Sequence, residues 1–110
     1  KLFCMLNKRP TRKELAALLQ TLIILAGNNT SCSKEKHNII ESICKKYDFY
    51  PEVLEITSVD PSDVFAHIEE LEVRLQFASH LISLVEAGNE EHIDAHHLSY
   101  LTKLLSILSR

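Results

Sequence analysis

The sequence predicts an all-α, single-domain bundle of about six helices, and three observations carry that prediction. Apolar residues recur at three-four spacing through four stretches of the chain. Leu, Ile, Ala and Glu dominate, which suits helices, while two Gly and three Pro in 110 residues argue against a sandwich, a collagen or a disordered linker. Two apolar runs, Leu15–Leu25 and Phe77–Val85, end in the same corner, Ala26-Gly27-Asn28 and Ala87-Gly88-Asn89, 61 residues apart. A polar loop follows each corner, and a fresh cap (Ser33 or Asp94) opens the next helix. A helix–loop–helix unit is therefore written twice.

Residues 1–10 carry Leu2, Phe3, Met5 and Leu6 and read as an N-terminal arm or short helix; Pro10 interrupts it by biasing Arg9 away from helical dihedrals. Residues 11–110 form the bundle. Thr11 and Glu14 make a capping box, each side chain satisfying a backbone donor near the other. The helix they open carries Leu15, Leu18, Leu19, Leu22, Ile23 and Ala26 on one stripe, widened by Ile24 and Leu25. So wide an apolar face marks a central helix. Gly27 stops it, since glycine accepts the positive φ that a helix end often needs. Ser33 opens a helix with Ile39, Ile40, Ile43 and Cys44 inward, and Lys45 and Lys46 favour the negative end of its dipole. Tyr47-Asp48-Phe49-Tyr50 reads as an aromatic turn wedged between helices. Pro51–Ile56 reads as a short helix with Val53, Leu54 and Ile56 inward. Asp60 caps the next helix, with Pro61 at its first position. The apolar pattern then runs on through Val64, Phe65, Ile68, Leu71, Leu75, Ala78, Leu81, Ile82 and Val85. A straight helix from Pro61 to Ala87 would be about 40 Å long, too long for a domain with a radius of gyration of about 13 Å. A break is expected near Glu70–Arg74. Asp94 caps the last helix, with Leu98, Leu101, Leu104, Leu105 and Leu108 inward.

Composition bounds the function. A formal charge of −3 supplies no general field for nucleic acid, and no basic stripe with interleaved aromatics stands in for one. The charge is uneven, with Lys8, Arg9, Arg12 and Lys13 at the start and Glu69, Glu70 and Glu72 in the middle. Three cysteines, Cys4, Cys32 and Cys44, close no even disulfide framework, which points to a reducing, cytoplasmic setting. The sequons at Asn28 and Asn29 are then loop polarity. No apolar run reaches the roughly 20 residues that span a bilayer, so no membrane insertion is expected. The chain starts at Lys1 without a Met, as an excised domain would.

The twice-written unit resembles the tellurite-resistance TerB-like family. There an apolar helix ends in an Ala-Asp-Gly-like loop, followed by a small apolar residue, a Ser or Asp cap and acidic residues opening the next helix. Here the first copy is Ile24-Leu25-Ala26-Gly27-Asn28-Asn29-Thr30-Ser31-Cys32-Ser33-Lys34-Glu35-Lys36. The second is Leu84-Val85-Glu86-Ala87-Gly88-Asn89-Glu90-Glu91-His92-Ile93-Asp94-Ala95-His96-His97. The resemblance covers roughly Thr11–Leu108 and implies one all-α bundle built from two repeats. It also implies a divalent-cation role, as a stress or tellurite-resistance protein. Hard cations want several oxygen ligands, yet the first corner has Gly27-Asn28 in place of Asp-Gly, with Glu35 its one nearby acid.

The densest set of metal-ligating side chains is Glu90, His92, Asp94 and His96. His92 and His96 are four apart and would share a face on a continuous helix, where with a carboxylate they could hold zinc or nickel. Against this, Asp94 as a cap leaves His92 in the loop. Leu101-Thr102-Lys103-Leu104-Leu105 fits an LxxLL docking pattern, but a core stripe supplies the same leucines. Cys32 is the most accessible thiol, with His37 five residues on, but a small apolar plug is the simpler reading. No phosphate loop, nucleophile elbow or His-Glu-x-x-His is present. The reading that follows is a non-enzymatic protein-interaction module, an adaptor or assembly component of a larger complex, with no obligatory cofactor. Its expected contact residues are Glu69, Glu70 and Glu72 together with the loop residues Asn28 and Asn89.

Overall fold

The computed structural model describes residues 9–27, 34–87 and 95–110. Among them are six helices and no strand: α1 (Arg12–Ala26), α2 (Lys34–Tyr47), α3 (Val53–Thr57), α4 (Pro61–Ala66), α5 (Leu71–Ala87) and α6 (Ala95–Leu108). The expected arm over residues 1–8 lies outside the described residues. Arg9 and Pro10 are not helical; Pro10 is buried, and the Arg9 guanidinium donates to the Tyr47 carbonyl.

Helix α1 starts where the capping box puts it. The Glu14 amide donates to Thr11 Oγ1 at 3.1 Å, and the Thr11 amide donates to Glu14 Oε1 at 3.0 Å. The helix is buried almost all round, on Leu15 to Leu19, Thr21, Leu22, Leu25 and Ala26, and it packs against α2, α3, α4 and α5. Fully burying one such leucine is worth about 1.5–3 kcal/mol, so the helix is the main contributor to the core. Its one buried polar side chain, Thr21, donates to the Ala17 carbonyl at 2.9 Å and meets Tyr100 of α6. Ile23 and Ile24 are not part of the core: both are exposed. Gly27 ends the helix at φ 79°, ψ 170°, a region that is open essentially to glycine alone.

Helix α2 runs one residue into the expected aromatic turn. Tyr47 is its last residue, and Asp48 takes the left-handed conformation at φ 52°. The Asp48 amide donates to the Lys45 carbonyl and the Phe49 amide to the Cys44 carbonyl, the paired bonds of a Schellman motif. Tyr47 and Phe49 are buried as wedges; Tyr50 is not, and stands exposed.

Helix α3 corrects the expectation for Pro51–Ile56. It starts at Val53 after Glu52, and Val53 and Leu54 point outward, the most exposed large apolar residues described. Polar bonds to α1 orient it instead: Gln20 Nε2 donates to the Ile56 and Val59 carbonyls, and Arg12 clamps Glu55 at 2.9 and 3.0 Å. Asp60 caps α4 through the Ser62 amide, with Pro61 in the first turn. The break in the long apolar pattern falls at residues 67–70, just before the expected Glu70–Arg74. His67 terminates α4, and the Arg110 guanidinium donates to the carbonyls of Phe65 and Ile68.

Helix α5 buries Val73, Phe77, Leu81 and Leu84; of the expected stripe Leu81 is buried and Ala78 and Val85 are half-buried, while Leu71, Leu75 and Ile82 are exposed. Helix α6 buries Leu101, Leu104 and Leu108, with Leu105 half-buried and Leu98 exposed. Phe65 of α4 and Phe77 of α5 meet edge to face at 5.9 Å in the shared core.

Candidate functional site

Helix α5 carries two apolar faces. At 100° per residue, Val73, Phe77, Leu81 and Leu84 fall on one side. Leu71, Leu75, Ala78, Ile82 and Val85, spaced four-three-four-three, fall on another. The first side is buried. On the second, Leu71 is 55% exposed, Leu75 54% and Ile82 42%, while Ala78 and Val85 are half-buried. A helix hydrophobic on two sides needs two coverings, and the described residues supply one.

The neighbours of α5 locate this strip. Tyr47 of α2 bonds Gln76 and His80, so α2 closes the flank opposite the strip. Helix α6 runs antiparallel along the other flank, because Arg74 near the start of α5 donates to the Arg110 carbonyl at the end of α6 at 2.9 Å. With Tyr100 turned to α1, helical spacing puts Leu98 and Leu105 of α6 at the α5 seam, beside the strip. The outer face of the α5–α6 hairpin is thus an apolar strip of Leu71, Leu75, Ile82 and Leu98, floored by Ala78, Val85 and Leu105. Its exposed area is on the order of a few hundred Å², the size at which a surface patch is often functional.

Carboxylates edge the strip. Glu69 and Glu70 lie in the connection before α5, Glu72 in its first turn and Glu86 in its last, all exposed. Among the described residues, Glu69, Glu72 and Glu86 join no ion pair. The nearest cation on α5, Arg74, is engaged by Arg110, and its Nε is buried without a partner. The three glutamates picked from sequence therefore border this surface. The leucines beside them were read as core, although two interleaved apolar stripes on one helix could have flagged that one faces outward.

Asn28, Asn89, Glu90, His92 and Asp94 lie outside the described residues. His96 is exposed in the first turn of α6, its ring 5.9 Å from that of His97. Among the described residues no group of His, Cys, Asp or Glu is placed to hold a metal ion. Cys44 is half-buried, and burial, then the Glu41 charge, raises its thiol pKa, opposite to what a nucleophile needs.

One polar cluster was not picked out from sequence. Tyr47 Oη donates to Gln76 Oε1 at 3.0 Å and lies 2.9 Å from His80 Nε2, with the Tyr47 and His80 rings edge to face. Burial, then the Lys46 charge, lowers the His80 pKa. A lone histidine within the Phe77-Leu81-Leu84 stripe was its only signal. On the outer face of α2, Asn38, Glu41, Ser42 and Lys45 line an open groove of about 360 Å³ with Tyr50. Its Glu41 and Lys45 charges offset one another and select no ligand class.

No family model, curated protein or solved structure matches this chain.

Proposed function

We propose that the protein is a non-enzymatic interaction module that docks a partner protein through the outer face of the α5–α6 hairpin. The observation that supports this reading is the second apolar stripe of α5, left uncovered and bordered by carboxylates. Buried leucines elsewhere account for the fold, so Leu71, Leu75, Ile82 and Leu98 are not needed to hold the bundle together. Interfaces of this kind keep an apolar centre inside a polar rim.

Photo-cross-linking in the cells that make the protein tests it. A photoreactive side chain at Ser79, on the strip's edge, should capture a discrete partner. One at Ser42, on the outer face of α2, should not. Leu75→Asp with Ile82→Asp should abolish the Ser79 product. Equal products from both positions, or a Ser79 product that survives the double substitution, would end the proposal.

A cation-binding role in the TerB-like manner is the alternative reading of the sequence. It depends on Glu90, His92 and Asp94 acting with His96. Titration calorimetry with zinc, nickel and calcium on chelator-treated protein tests it, and a saturable heat lost in His96→Ala would favour it.

A further inference from the structure

We infer that the occupant of the α5–α6 strip is a basic amphipathic helix, with aliphatic anchors on one face and Lys or Arg toward both ends. The inference rests on the docking reading above and adds the chemistry of the partner.

Shape comes first. Leu71, Leu75, Ala78, Ile82 and Val85 repeat at four-three spacing over about 21 Å, roughly four helical turns. That is the spacing at which a second helix seats its own knobs. Ala78, the smallest of the five, is half-buried at mid-strip. A shallow seam between two helices, low at its centre, accepts a helix laid along it better than an extended strand, which would need backbone partners that α-helices do not offer.

Charge then selects among helices. Glu69 and Glu72 mark one end of the strip and Glu86 the other, and all three are exposed without ion pairs among the described residues. An acidic border steers in and retains a basic partner and turns away an acidic one. It also argues against a second copy of this chain. Two copies packed antiparallel through the strip would set Glu86 of one near Glu72 of the other, like charge on like. Anionic lipid surfaces are repelled by the same carboxylates.

The test uses the whole chain and three synthetic helices of about 18 residues with one leucine heptad face, their polar positions filled with Lys, Glu or Gln. Binding is read by fluorescence anisotropy, and the site by amide chemical-shift changes. The Lys helix should bind at least about tenfold tighter than the Gln helix and about a hundredfold tighter than the Glu helix. Its advantage should shrink between about 50 and 500 mM salt as the charges are screened. Shifts should concentrate on α5 and α6, and Leu75→Gln with Ile82→Gln should weaken the Lys helix at least about tenfold. Glu69→Gln with Glu72→Gln should erase most of the Lys-over-Gln preference while leaving Gln-helix binding unchanged. Shifts confined to other helices, equal affinity for the three peptides, no binding of any, or self-association of the chain would each overturn the inference. If the Ser79 cross-link holds while the Lys helix fails, the docking surface stands and the partner's chemistry is wrong.

Discussion

Asp48 shows how much one residue can hold in this molecule. It occupies the left-handed position of a Schellman motif that glycine usually fills, at φ 52°. An L-residue there costs about 1–2 kcal/mol, less for Asp than for most, and glycine gives back about 0.5–1 kcal/mol in unfolded-chain entropy. Asp48→Gly should therefore raise stability by about 0.5 kcal/mol and Asp48→Val lower it, both read as shifts in urea midpoint. Arg110 works in the opposite sense. Its guanidinium donates to the carbonyls of Phe65, Ile68 and Ile107 at 3.2, 2.8 and 2.9 Å, tying the end of α4 and the connection after it to the end of α6. Arg110→Ala should cost about 1–3 kcal/mol, and Arg110→Lys should restore only part, since an ammonium lacks the planar fork. His80 gives the molecule a pH slope. Facing the Tyr47 hydroxyl, Gln76 and Lys46, its pKa is lowered by burial first and the Lys46 charge second. The unfolded chain then binds the proton more readily than the folded one. Its contribution is complete above the ordinary value of 6.5 and is lost as pH falls below that value through the lowered one. Urea midpoints should drop from pH 7.5 to about pH 5.5, and His80→Gln should flatten that part of the profile.

At the scale of elements, the chain's local chemistry was readable and its choice of faces was not. The Thr11–Glu14 box, the Gly27 stop and the Asp60-Pro61 start are set by side chains within four residues of the groups they satisfy, so sequence alone identifies them. Helix α5 is different. Its stripes through Leu71-Leu75-Ile82 and Val73-Phe77-Leu81-Leu84 have the same period, and nothing within the helix says which will meet α1. The core took the stripe holding Phe77, which packs against Phe65 of α4. The same limit explains α3, where polar bonds from Gln20 and Arg12 fix an orientation that leaves Val53 and Leu54 outside. It also explains why the acidic residues of the candidate surface could be picked from sequence and its leucines could not. Exposed charge announces itself, whereas an exposed leucine looks like a buried one until a neighbour fails to appear. Paired substitutions separate the stripes. Leu81→Ala, at a fully buried position, should cost about 2–5 kcal/mol. Leu75→Ser should stay within about 0.5 kcal/mol, as surface changes do. Comparable losses at both positions would mean that the strip is covered within the molecule itself.

Among the described residues, α1 is the helix that most of the others pack against, and α5 and α6 form an antiparallel pair. Thr21 of α1 meets Tyr100 of α6, and Arg74 at the start of α5 meets Arg110, so α5 runs toward the end of the bundle where α6 begins. Likeness of sequence does not carry over to likeness of burial. Leu22 is buried where its counterpart Ser83 is exposed, and Leu84 is buried where its counterpart Ile23 is exposed. Helix α1 is central, touched by α2, α3, α4 and α5, whereas α5 keeps an exposed apolar face. This division sets a stability order that hydrogen exchange can read. Amides of α1 and of α5 near Phe77 and Leu81 should exchange only through global unfolding, because opening either breaks the common core. Amides of α3, five residues with none buried and anchored by exposed polar bonds, should exchange by local opening, orders of magnitude faster. Binding at the α5–α6 face should slow exchange along the outer side of α5 and leave α3 unchanged. Protection of α3 equal to that of α1 would show instead that the bundle opens only as a unit, with no part less stable than its centre.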